Sequence, residues 1–236
     1  MKKAIFFMMA AMVLTSCTIR FNGGEDSKSG KTATKDFNLQ DFNEIALLGN
    51  GTVEFTQDSI FSVTLEADER VADQIEVYKE GAILCIGQKD YNKDKNNKKI
   101  VLGNKVHDYK VKVTAPTLDK ASVAGSGSFS SDGILTEMMS LEISGPGTIN
   151  IADLETKQVN ASIAGSGVVN VKEKNTDITV LTIAGSGTMG FNFKDCGNIK
   201  ASIAGSGVVN LSGNAESLEQ EVAGSGVINQ TELKVK

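Results

Sequence analysis

The chain has 236 residues, 40% of them apolar and 22% charged, with a formal net charge of −5. That length can hold one large or two small domains with a buried core, and the lack of a basic excess speaks against nucleic acid as a partner. A single histidine, His107, and no tryptophan leave little material for a histidine-based metal or acid–base centre, and no cofactor is expected.

At the N-terminus Lys2 and Lys3 precede an apolar run over residues 4–14 (AIFFMMAAMVL). A positive start followed by a core this short fits a signal peptide better than a bilayer span. Its end, Leu14-Thr15-Ser16-Cys17, resembles the bacterial lipobox, in which cleavage leaves the cysteine first and its thiol takes a diacylglycerol. Residues 1–16 are therefore expected to be removed and Cys17 to be the lipid attachment point; the alternative is a plain signal peptide with an incidental Cys17. Two or three acyl chains hold a protein to a membrane durably, whereas one is marginal. Residues 17–35, polar and rich in Gly, Ser and Lys, read as a leash. The expected location is the cell envelope, lipid-anchored at the outer membrane, with the surface and periplasmic faces both open.

Residues 36–115 form a less regular N-terminal β portion. Strand-like alternation runs over 45–48, 52–56, 61–66, 75–78, 82–86 and 106–113, and 67–74 (ADERVADQ) suits a short helical turn. The stretch 88–99, with five lysines against two aspartates, reads as a solvated hairpin tip, with contact to an acidic surface as the alternative. Cys85 and Cys196 are expected to be buried small hydrophobes, with pairing as the alternative.

Residues 116–236 are dominated by an internal repeat. Val-Ala-Gly-Ser-Gly or a close variant recurs with its first glycine at 125, 145, 165, 185, 205 and 224, and a weaker copy, Leu48-Gly49-Asn50-Gly51, lies upstream. β-Branched residues flank each glycine break: Ile163 and Ile183 before it, Val168-Val169 and Val208-Val209 after it. That pattern favours strands, and glycine at the break permits positive φ or close approach of neighbouring coils. A unit of about 20 residues cannot bury its own apolar face, but coils stacked about 4.8 Å apart cover one another. The expected fold is therefore all-β: a parallel β-solenoid of about six 20-residue coils, with an aliphatic ladder inside and a Ser/Thr ladder beside it. A propeller blade would need twice this period, and leucine-rich repeats need leucines that are missing.

With Gly147-Thr148-Ile149-Asn150 and Gly226-Val227-Ile228-Asn229 in hand, the chain resembles the head GIN domain family, named for a Gly-Ile-Asn motif. The likeness spans about residues 36–230, beginning at Phe42-Asn43-Glu44-Ile45. Its members are described as auto-transporter adhesins and are common in Bacteroidetes envelopes. The resemblance implies a mostly-β, solenoid-like fold and an adhesin role resting on structural analogy. It carries no catalytic or binding residues. Two units depart from the pattern: Gly187-Thr188-Met189-Gly190 lacks the asparagine, and Pro146 replaces the middle serine of its turn.

The repeated Gly-Ser-Gly is not a dinucleotide loop, because the third glycine and the following helix are missing. It also lacks the aspartate of calcium-binding solenoid turns. Ser126, Ser166, Ser186, Ser206 and Ser225 have no base to activate five copies. Asp153 and Glu155 sit at a corner with no supporting pattern for glycoside hydrolysis. The catalytic, metal and cofactor sets are therefore assigned no residues. Asn150, Asn170, Asn210 and Asn229 are expected to stack as an amide ladder, with a ligand-facing row as the functional alternative. The leading reading is a non-enzymatic adhesin or binding module, tethered to the membrane by its lipid and binding carbohydrate or an envelope or host protein. The alternatives are a structural component packing on another envelope protein and, as a minor one, a carbohydrate-active enzyme.

Overall fold

The computed structural model describes residues 18–21 (by backbone alone), 31–89 and 109–236. The signal peptide, Cys17, His107 and most of the lysine-rich stretch fall outside the described residues. Within them the regular structure is strand, apart from one 3-10 turn at Ala72–Gln74, inside the segment expected to turn.

The N-terminal portion supplies β1 (Thr18–Phe21), β2 (Thr32–Phe37), β3 (Glu44–Leu48), β4 (Thr52–Gln57), β5 (Ser62–Asp68), β6 (Ile75–Glu80), β7 (Ile83–Gln88) and β8 (Lys110–Ala115). The array follows with β9 (Lys120–Ala124), β10 (Ser128–Ser131), β11 (Ile134–Leu135), β12 (Met138–Gly145), β13 (Thr148–Glu155), β14 (Gln158–Gly165), β15 (Val168–Lys174) and β16 (Ile178–Gly185). Three long strands complete it: β17 (Thr188–Gly205), β18 (Val208–Gly224) and β19 (Val227–Val235). β17 and β18 each run from one glycine turn around a corner to the next.

From β3–β4 and β9–β10 onward each coil therefore has one strand entering the glycine turn and one leaving it, and like strands pair in parallel. The entry sheet stacks β7, β3, β9, β12, β14, β16 and the second halves of β17 and β18. The exit sheet stacks β8, β4, β10, β13, β15, the first halves of β17 and β18, and β19. This is the β-solenoid the repeat predicts. Antiparallel strands finish the N-terminal end, with β6 on β7 and the series β5, β2, β1 on β8.

The weak upstream copy is a full coil of the same stack. β3 pairs with β9 so that Leu47 lies against Val123, and the Gly127 amide donates to the Gly49 carbonyl at 2.8 Å. The β3–β4 coil is held between β7–β8 on one side and β9–β10 on the other, so the chain passes over it between β8 and β9.

Register is in step with the repeat, so identical positions form ladders. Ile143, Ile163, Ile183 and Ile203 are consecutive partners, and each is at most 2% exposed. On the exit sheet Ile149, Val169, Met189 and Val209 do the same. Inward side chains of both sheets merge into one core, as stacking of units with one apolar face requires. The expected Ser/Thr ladder is present as Ser122, Ser162, Thr182 and Ser202, interrupted by Glu142 and ended by Glu221. Trimming one methylene from this core, Ile163→Val, is expected to cost about 1 kcal/mol, visible as a small drop in the calorimetric melting temperature.

A candidate binding groove on the exit sheet

Strand alternation turns every second residue of the exit sheet outward. In four units the first outward position after the turn-exit β-branched residue is the asparagine of the motif, and two residues on comes a second outward row of Lys172, Asn192 and Ser212, with Ala152 beside it where the register shifts. The two rows and the backbone between them line a groove of about 700 Å3 crossing the coils from Ser130 to Glu232. With strands about 4.8 Å apart, six rungs extend over roughly 24 Å.

All four predicted asparagines line this groove, and the sequence places them on one face because their spacing matches the coil. Asn170 Nδ2 donates to Asn150 Oδ1 at 3.0 Å, and Asn229 Nδ2 donates to Asn210 Oδ1 at 2.8 Å. The row is thus two amide pairs rather than one continuous ladder. Between them sits Gly190, paired with both Asn170 and Asn210, where the rung has no side chain. In the second row Asn192 Nδ2 donates to Ser212 Oγ at 2.8 Å. Among the described residues Lys172 is the one cation lining the groove, and Asp132 and Glu232 stand near its two ends. The second row was not anticipated, although part of its signal, the polar residues Lys172, Ser212 and Thr231 two places after Asn170, Asn210 and Asn229, is readable in the repeat.

The other candidates are accounted for by local structure. The turn serines Ser126, Ser166, Ser186, Ser206 and Ser225 are exposed, and from Ser166 onward their backbone amides donate to the glycine carbonyl one coil below. Pro146 has no such N–H to give. Asp153 and Glu155 both face Lys174, at 2.8 and 3.4 Å, an exposed arrangement of modest energetic worth. Cys85 and Cys196 are buried free thiols, as small hydrophobes are.

One buried acid was not anticipated. Glu173 lies on an inward rung between Leu154 and Phe193 and is 1% exposed. Its Oε1 accepts from the Thr179 hydroxyl, while its Oε2 is buried without a partner among the described residues. Burial pushes its carboxyl up to about 7, with hydrogen bonds from Thr179 and Thr176 pulling the other way. It lies on the core side of the sheet, away from the groove.

A family profile described as "Putative auto-transporter adhesin, head GIN domain" matches residues 41–189 and 170–236. The chain belongs to the head GIN domain family. Among curated proteins none matches it. Several solved structures are similar to this head GIN domain. One, described as a "putative lipid binding protein" from Parabacteroides distasonis, is 22% identical with a TM-score of 0.63, over 84% of this chain and 96% of that one. Another, a "putative adhesin" from Bacteroides fragilis, is 21% identical with a TM-score of 0.62, over 85% and 97%. A third, also a "putative adhesin", from Parabacteroides merdae, is 20% identical with a TM-score of 0.62, over 88% and 97%. At these identities the likeness shows a shared fold. Among the described residues of the head GIN domain, no helix is long and apolar enough to cross a membrane.

Proposed function

We propose that this head GIN domain is a non-catalytic, adhesin-type binding module of the cell envelope, held to the outer membrane by lipid on Cys17, with residues 17–35 as its leash. The observation that carries the reading is the groove: two outward rows, mostly amides and hydroxyls with Lys172 among them, repeated at coil spacing on a sheet whose interior strands are hydrogen-bonded on both sides. Such a surface is preorganised, so a ligand laid along it need not order the protein on binding. The adhesin description of the family agrees with that role, and its groove has the few placed polar groups expected of a binding site.

Protease digestion of intact cells, blotted for this protein against lysed controls, tests the placement. Digestion on intact cells is the expected result; protection until lysis would put the groove in the periplasm and end the adhesin reading. Cys17→Ser is expected to shift the protein from the membrane pellet to the soluble fraction, and a variant that stays in the pellet would remove the lipid anchor from the proposal.

A second reading, packing against another envelope protein, is favoured by the last coil, where Val222, Val227 and Val235 are 43–49% exposed. Crosslinking from that coil in intact cells separates the two readings: one discrete protein adduct supports packing, and none leaves the groove reading alone.

A further inference from the structure

We infer that the missing rung at Gly190 is a subsite for a hydroxyl group of a neutral saccharide, held between the Asn170 Oδ1 acceptor and the Asn210 Nδ2 donor. The inference rests on the groove reading above and gives it a ligand class.

The amide row runs with one polarity: in both pairs the asparagine of the later coil donates its Nδ2 to the Oδ1 of the earlier one. A rung at 190 would accept from Asn210 and donate to Asn170. Glycine stands there instead. Asn170 Oδ1 receives no hydrogen bond from any described residue, and it leans over the gap, 2.8 Å from where a Cβ of residue 190 would be. Asn210 has its Oδ1 engaged by Asn229, which leaves its Nδ2 toward the missing rung with no acceptor among the described residues. The notch therefore presents an acceptor on one side and a donor on the other, inside the groove.

The chemistry that satisfies both is a group that donates and accepts at once, and a hydroxyl does so with one atom. A carboxylate or phosphate only accepts and would set lone pairs against Asn170 Oδ1. An apolar group would leave two amides unpaired, which is costly once water is excluded. An extended peptide would normally dock by adding to a sheet edge, but here the strands on both sides of the notch are already paired in the sheet. Recognition must come through outward side chains, and around the notch these are the amides of Asn170, Asn192 and Asn210 and the Ser212 hydroxyl with Lys172 beside them, while Asp132 and Glu232 stand at the ends of the groove. A saccharide chain offers hydroxyls at regular intervals along such a row.

The backbone at Gly190 is ordinary strand and not in the positive-φ region, so any residue can stand there. The crowding group is the free end of the Asn170 side chain, which can move. Gly190→Asn restores the residue found at this place in the neighbouring units, completes the amide ladder and closes the notch. The full chain, purified in detergent, is titrated calorimetrically with cellohexaose, xylohexaose and mannohexaose. At least one hexaose is expected to bind the unaltered protein, and Gly190→Asn to weaken it tenfold or more with the melting temperature equal or higher. Asn210→Asp, which swaps the donor for an acceptor without filling the notch, is expected to weaken the same hexaose similarly. An unchanged Kd in both variants overturns the notch and leaves the groove reading standing. Failure of the unaltered protein to bind any hexaose overturns the neutral-saccharide assignment. If an array of immobilised host and envelope proteins then detects binding that Asn150→Asp and Asn210→Asp abolish, the groove reading survives with a protein ligand; no binding there removes it as well.

Discussion

Gly205→Ala is expected to unfold the array around its turn and to cost roughly 4 kcal/mol or more, a sum of backbone strain and a broken inter-coil contact. Gly205 has φ +132°, a conformation L side chains rarely adopt, and a Cβ there would lie 2.4 Å from the carbonyl oxygen of Gly185. The obstacle is backbone, so it cannot rotate away. It also accepts the Ser206 amide at 2.9 Å, so moving it breaks the contact between coils. The comparison that separates strain from crowding is Gly81→Ala. Gly81 also has positive φ, +62°, but nothing lies within 4 Å of the added carbon, so the loss should be about 1 kcal/mol. Thermal unfolding followed by circular dichroism reads both. Equal losses would mean that the stacked turns give under load, and that tight glycine stacking does not hold the coils in step. Ser206→Ala, at an exposed tip whose backbone makes the contact, should change little.

Glu173→Gln is expected to stabilise the protein at pH 8 and to leave it nearly unchanged at pH 4.5. In the folded chain burial holds the proton on Glu173 to about pH 7, against an ordinary value of 4.5. Between those values the unfolded chain has released the proton and the folded chain keeps it, so unfolding gains as pH rises. The stability this group contributes is fully present below about pH 4.5, falls through the interval and is gone above pH 7. By linkage the span corresponds to about 3 kcal/mol, or roughly 6–12 °C in melting temperature for a chain of this size. Cys196 is packed close by, its Sγ against the Glu173 carbonyl. Burial raises its thiol further above its ordinary value, so it stays neutral and adds no slope in this range. Melting curves of both proteins from pH 4 to 8 should diverge as pH rises; curves that run parallel would show that Glu173 finds water in the native state.

The repeat made most of the fold legible, because a period equal to the coil length writes the register directly into the spacing of Ile143, Ile163, Ile183 and Ile203. Position in the stack was harder to read. Gly49 is one coil below Gly125, but β5 to β8 intervene in the chain and break the period, so the weaker copy at 48–51 stands outside the spacing that writes the register of the array. The asparagine row was legible for the same reason as the isoleucines. The splitting of that row into two pairs follows from Gly190, visible as a departure whose consequence needed the amide directions. Glu173 shows where charge misleads: Lys172-Glu173-Lys174 reads as a solvated run, yet the alternation Val169, Val171, Glu173 puts the middle residue inside. Periodicity was the better guide there, since a strand cannot turn one residue outward without a bulge.

The placement of the β3–β4 coil bears on how the chain emerges during synthesis and export. Later coils dock on a neighbour made 20 residues earlier, but β4 waits for β10, 76 residues away along the chain. By loop-closure entropy that contact costs about 1.2 kcal/mol more than a step of the repeat. Until β9 and β10 have been released, one edge of β3 and β4 stays open, displaying Ile45, Leu47, Val53 and Phe55 to whatever is nearby. Within the folded part, nascent chains of this protein therefore make an apolar coil early and cover it late, and a holdase acting on the chain in transit would find a grip between residues 44 and 57.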